Sequence, residues 1–179
     1  MKKIILLLII SFFFAEIHAT KHNCIDEHAV RYVKNRAPLN TQLQELLRNR
    51  NAWQNFQKNH KKWYVIFNEQ NQKPHKSFGE PFEVPGSTIS DKVQNLILND
   101  FSAFGIPSDI RLKHEIKGER YLNLIYNQYY DNLEVINSKL YVKFLNDGKI
   151  AAFGLDVFSD INISTKPIIS SSDALISAK

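Results

Sequence analysis

Apolar and polar positions follow three regimes along the chain. The first is a run, Ile4–Phe14, broken only by Ser11. The second has helical spacing. Thr41 opens a helical pattern with Gln44 as its capping-box partner, and Leu43, Leu46 and Leu47 share one face, extended by Trp53 and Phe56. Trp63–Phe67 is aromatic and β-branched and reads as a strand. Asn68–Pro74 reads as a turn, and 75–87, with Gly79, Pro81, Pro85 and Gly86, as a connection. Thr88 or Ser90 then caps a helix helped by Asp91 at its positive end. Its stripe is Val93, Leu96, Ile97, Phe101 and Phe104, and Gly105 and Pro107 stop it.

From residue 111 the period changes to two. Arg111–Ile116, Tyr121–Tyr130, Ser138–Leu145 and Lys149–Val157 read as strands, joined at Lys117-Gly118 and at the hairpin signal Asn146-Asp147-Gly148. The predicted fold is α+β: an antiparallel meander packed on one amphipathic helix, preceded by a helical lead. Ser170 or Ser171 caps a further helical segment, Asp173–Ala178, whose apolar face lacks a partner, so the expectation is a chain that continues past Lys179.

Composition narrows the class. Of 179 residues, 44% are hydrophobic and 23% charged, which suits a folded domain and excludes wholesale disorder. Lys2 and Lys3, the 11-residue apolar run and small Ala19 make residues 1–19 a signal peptide cut between Ala19 and Thr20. The run falls short of the roughly 20 residues a membrane-spanning helix needs. Its removal takes away Lys2, Lys3 and Glu16, so net charge goes from +5 to +4. The expected product is secreted, extracellular or periplasmic, with no membrane attachment after cleavage. The basic residues are scattered, so no nucleic-acid partner is expected. Cys24 has no second cysteine with which to close a disulfide.

Reactive constellations are not legible. His114-Glu115-Ile116-Lys117-Gly118 lacks the second His of a zinc-binding H-E-x-x-H, and Gly86-Ser87 lacks the second Gly of a hydrolase elbow. His28, His60, His75 and His114 read as solvent-facing or locally bonded. No catalytic, cofactor-binding or metal-binding residue is assigned.

One stretch carries a family resemblance. Tyr126–Val135 reads YNQYYDNLEV and is followed by NSKLYVKFLNDGKIAAFG and then DINISTKPIISSSDALISA. It resembles the fungalysin/thermolysin propeptide domain, followed by the start of a PepSY-type segment. Gln128, Tyr129, Tyr130, Val135, Gly148 and Gly154 match the first, and Pro167, Ile169, Ser170 and Ala174 the second. Asn132 and Glu134 stand where that family has a turn Gly and Pro. The residues themselves divide the chain into a signal peptide at 1–19, a lead with one helix at 20–60 and a strand and connection at 61–87; the resemblance covers 88–179 and implies the propeptide domain at 88–158 and an incomplete PepSY-like segment at 159–179. It further implies a non-catalytic pro-region of a secreted bacterial zinc metalloprotease precursor, an intramolecular chaperone and inhibitor. Its partner would be the cognate catalytic domain, in cis, and zinc would sit only in that downstream domain. The alternative is a free-standing secreted binding or inhibitor module of the same fold.

Overall fold

The computed structural model describes residues 38–178. The expected cleavage site at Ala19 and Thr20, together with Cys24 and His28, lies outside them. Residues from Leu39 onward form one unit.

The unit opens with α1 (Thr41–Arg48) and α2 (Asn51–Asn59). Asn40, not Thr41, caps α1: its Oδ1 accepts the Leu43 N–H at 3.0 Å. Gln44, expected to close a capping box, is buried instead. Leu46, expected on the buried face, is 54% exposed, and the face that packs is Leu43, Gln44 and Leu47. Asn49 and Arg50 interrupt the lead, so it holds two helices where one was expected, with Trp53 and Phe56 on the second.

β1 (Trp63–Phe67) hairpins into β2 (Pro74–Phe82). β2 occupies the stretch expected to be a connection. Its apparent breakers have positional reasons. Pro74 sits at the irregular end of the ladder, opposite Phe67. Gly79 lies under the Trp63 indole, where a Cβ would come within 2.7 Å of the ring. The indole N–H donates to Glu80 O at 2.8 Å.

α3 (Ile89–Asn95) starts with a complete capping box between Thr88 and Asp91. A π turn, Leu96–Asp100, and a 3-10 turn, Ser102–Phe104, follow, and Gly105 ends the segment at φ 63°. In a regular helix Leu96 and Phe101 would diverge by about 140°. The π turn, closed by Phe101 N–H to Leu96 O at 2.9 Å, stacks them, and both are fully buried.

The rest is β3 (Ile110–Lys117), β4 (Tyr121–Tyr130), the short β5 (Leu133–Glu134), β6 (Lys139–Leu145), β7 (Ile150–Asp156) and a terminal helix α4 (Ser171–Ser177) capped by Ser170. All strand pairs are antiparallel. The sheet runs β1-β2-β7-β6-β4-β3, with β5 added to β4. The expected meander is present as β3-β4-β6-β7, and the β1-β2 hairpin extends it past β7.

Helices cover one face of this sheet. Phe153 on β7 is the hub of an aromatic core: its ring lies 4.4 Å from Phe101, 5.2 Å from Phe56 and 5.3 Å from Trp63, centroid to centroid. One cross-strand row on this face reads Val65, Ser77, Phe153, Val142, Leu124. Ser77 is fully buried and its hydroxyl has no hydrogen-bond partner among the described residues. A buried unpaired hydroxyl costs about 1–3 kcal/mol. Ser77→Ala is therefore expected to stabilise the fold by about 1 kcal/mol, read as a higher denaturant midpoint at unchanged m-value.

Candidate docking face

Among the described residues, no helix lies on the opposite face of the sheet. Alternation fixes its members. The first cross-strand row is Tyr64, Phe78, Ala152, Lys143, Asn123 and Ile116. In the next, β1 and β2 contribute Ile66 opposite Lys76, and β7 to β3 contribute Gly154, Tyr141, Ile125 and His114 in register. Large apolar groups are thus left in water: Tyr64 is 65% exposed, Ile116 50% and Phe78 43%. The Tyr64 and Phe78 rings stack at 5.9 Å. Lys76 Nζ lies 5.9 Å from the Phe78 centroid, and Lys143 Nζ 4.3 Å above the Tyr121 ring.

Gly154 and Tyr141 shape the middle of this face. Gly154 is buried in β7, and the Tyr141 ring lies across it; a Cβ there would run into that ring and into the His75 carbonyl. Burial, with Asp156 adding to it, pushes the Tyr141 phenol up to about 12. The folded chain therefore holds that proton where the unfolded chain, at about 10, releases it. Stability from this group is complete below about pH 10 and is lost as pH rises toward 12. Tyr141→Phe is expected to lose less stability across that window than the native chain, measured by urea unfolding at stepped pH.

The two edges of the sheet differ. On β1, the Gln44 carboxamide stands in for a neighbouring strand: its Nε2 donates to Phe67 O at 2.9 Å, and Phe67 N–H donates to its Oε1 at 2.9 Å. Gln57 Nε2 donates to Trp63 O at 3.0 Å. Helix side chains thus occupy both ends of this edge. Among the described residues β3 has only β4 beside it, and every residue from Arg111 to Lys117 is exposed.

The motif residues are nodes of the fold. Gln128 is 2% exposed. Its Nε2 donates to Phe158 O at 2.7 Å and its Oε1 accepts Phe158 N–H at 2.8 Å, a second use of the reciprocal arrangement made by Gln44. Ser138 donates to the same Oε1 at 3.2 Å, and Val135 N–H donates to Gln128 O at 2.9 Å. Tyr129 lies under the Arg111 guanidinium at 4.2 Å. Tyr130 pairs with Leu133 across the β4-β5 turn. That turn has Asp131 at φ 48° and Asn132 at φ 64°, left-handed conformations that Asp and Asn tolerate. Glu134 accepts bonds from Asn127 at 2.6 Å, Lys113 at 3.1 Å and Tyr129 at 3.4 Å; the Lys113 bond contributes most to lowering its pKa. Gly148, at φ 78°, makes the β6-β7 turn, and its carbonyl accepts Lys92 Nζ at 3.0 Å.

Titratable clusters lie elsewhere. Asp156, 5% exposed, accepts His75 Nδ1 at 2.8 Å and Asn68 Nδ2 at 2.9 Å, tying the β1-β2 turn to β7 beside a polar cleft of about 440 Å³. Ser138 lines that cleft, but its hydroxyl is given to Gln128. His60 Nε2 meets Asp100 Oδ1 at 2.5 Å, joining the end of α2 to the π turn. The Lys73 amine, 7% exposed with its residue, donates to Phe104 O, Gly105 O and Ser159 Oγ; burial pulls its pKa down. These groups cross-link the fold. His114 projects from β3 without joining them.

No family model, curated protein or solved structure matches the chain. Among the described residues, no helix is long and apolar enough to cross a membrane, and no group of three or more His, Cys, Asp or Glu could hold a metal ion. The sequence pattern singled out Gln128, Gly148 and Gly154 through a motif. It missed Gln44 and Gln57, whose signal was a polar residue inside an otherwise apolar helical face.

Proposed function

We propose that this chain is the non-catalytic pro-region of a secreted zinc metalloprotease precursor, and that it works by laying the bare face of its sheet on the catalytic domain. The observation that supports this reading is the row Tyr64, Phe78, Ala152, Ile116 on a face that no helix among the described residues covers. An exposed apolar surface of this kind gains free energy when another polypeptide covers it. The motif around Gln128 supplies the link to a pro-region. A module bound only to the folded catalytic domain stabilises that domain by mass action, which is the chaperone role. Within one chain the local concentration is about millimolar, so modest affinity inhibits until the connection is cut.

The test is a refolding assay. A secreted zinc peptidase domain carrying H-E-x-x-H is unfolded, then diluted with or without purified residues 20–179. The expected result is a higher yield of folded peptidase whose activity stays suppressed until the added chain is digested. Unchanged yield and unsuppressed activity across such peptidases would overturn the reading.

A further inference from the structure

We infer that the polypeptide surface covering the bare face is apolar at its centre and carboxylate-bearing at its rim, and that Tyr64, Phe78, Lys76 and Lys143 receive it. This rests on the reading that the face docks on a polypeptide. The argument is charge complementarity. Lys76 on β2 and Lys143 on β6 flank β7, and no carboxylate among the described residues lies within ion-pairing distance of either. Glu80, Glu134 and Asp156 have other partners: Glu80 pairs with Lys62 at 3.0 Å, Glu134 with Lys113 and Asp156 with His75. Both ammonium groups instead lie over aromatic rings, Lys76 Nζ 5.9 Å from the Phe78 centroid and Lys143 Nζ 4.3 Å from the Tyr121 centroid, which leaves their charge in place.

Between the two lysines the sheet is low. β7 contributes only Ala152 and Gly154 here, and the Tyr141 ring fills the space over the glycine. The stacked Tyr64 and Phe78 rings bound this shallow floor on the β2 side, with Lys143 on the β6 side. An apolar side chain set on Ala152 would therefore be flanked by cations within reach of carboxylates beside it. Opposite charges at such a rim steer encounter and fix register, while burial of the centre provides the affinity. A nucleic acid would need a longer track of cations than two lysines set among apolar groups.

The probe is a pair of synthetic amphipathic helical peptides with the same leucine stripe, one rimmed by glutamate and one by lysine. Binding to residues 20–179 is followed by NMR shift changes and calorimetry. The glutamate-rimmed peptide is expected to bind, to perturb residues 64, 76, 78, 143 and 152, and to weaken about tenfold or more in Lys76→Glu/Lys143→Glu. Added salt should weaken it, and the lysine-rimmed peptide should bind least. Equal binding of both peptides, shifts elsewhere on the chain, or preference for anionic lipid vesicles would overturn the inference. Circular dichroism of the double variant separates misfolding from lost contact, and Tyr64→Ser/Phe78→Ser gives an independent loss at the centre. The refolding assay separates the two readings. Chaperoning and inhibition that survive Lys76→Glu/Lys143→Glu would remove this inference and leave the pro-region. Peptide binding without either activity would do the reverse.

Discussion

Gly154→Val is expected to be the most damaging single change on the bare face. The position is buried in a central strand, and a side chain there meets the Tyr141 ring and the backbone carbonyl of His75. The ring could swing away; the carbonyl belongs to the β2 strand next door and could move only by opening the β2-β7 ladder. Overpacking of this kind costs about 3 kcal/mol. Chemical denaturation should show that loss, and Tyr141→Ser in the Gly154→Val background should recover part of it. Full recovery would mean that the ring alone sets the limit; no recovery would mean that the carbonyl does.

Gln128→Leu is expected to cost about as much, for a different reason. The substitution keeps the volume near native but removes both halves of the reciprocal pair with Phe158 and the acceptor used by Ser138. Each buried orphan costs about 1–3 kcal/mol, so a loss of about 3 kcal/mol is expected. Gln128→Glu provides the control. As a carboxylate it sets an oxygen against Phe158 O, but once protonated it regains a donor there. Burial raises its pKa above that of the unfolded chain, so its stabilising form is present at acid pH and lost as pH rises through the raised value. This variant should gain on the native chain as pH falls, in unfolding curves taken between about pH 4 and 7.

The later half of the fold was legible because its residues obey local rules. Alternation placed β4 at Tyr121–Tyr130 with both ends correct; the Thr88 and Ser170 hydroxyls cap their helices, and Gly105, without a Cβ, ends its segment. Where local and tertiary demands diverge, the pattern misled. Gly79 and Pro81 read as breakers, yet the Trp63 indole needs the space a glycine leaves, and the ladder runs on through Phe82. Gln44 read as a cap because its spacing from Thr41 suits one; its partner, Phe67, lies 23 residues away and no local rule could supply it. On the candidate docking face, Tyr64 and Phe78 join Tyr141 only once the β1-β2 hairpin is set beside β7, a long-range pairing absent from any local pattern.

The contrast between the two sheet margins limits stoichiometry. Of the two margins of the main sheet among the described residues, Gln44 and Gln57 stopper β1, so copies of this chain that met strand to strand there would have to add at β3. A unit with a single reactive end stops at a pair, whereas fibre growth requires two. Strand-to-strand growth through these two margins is thus limited to a pair.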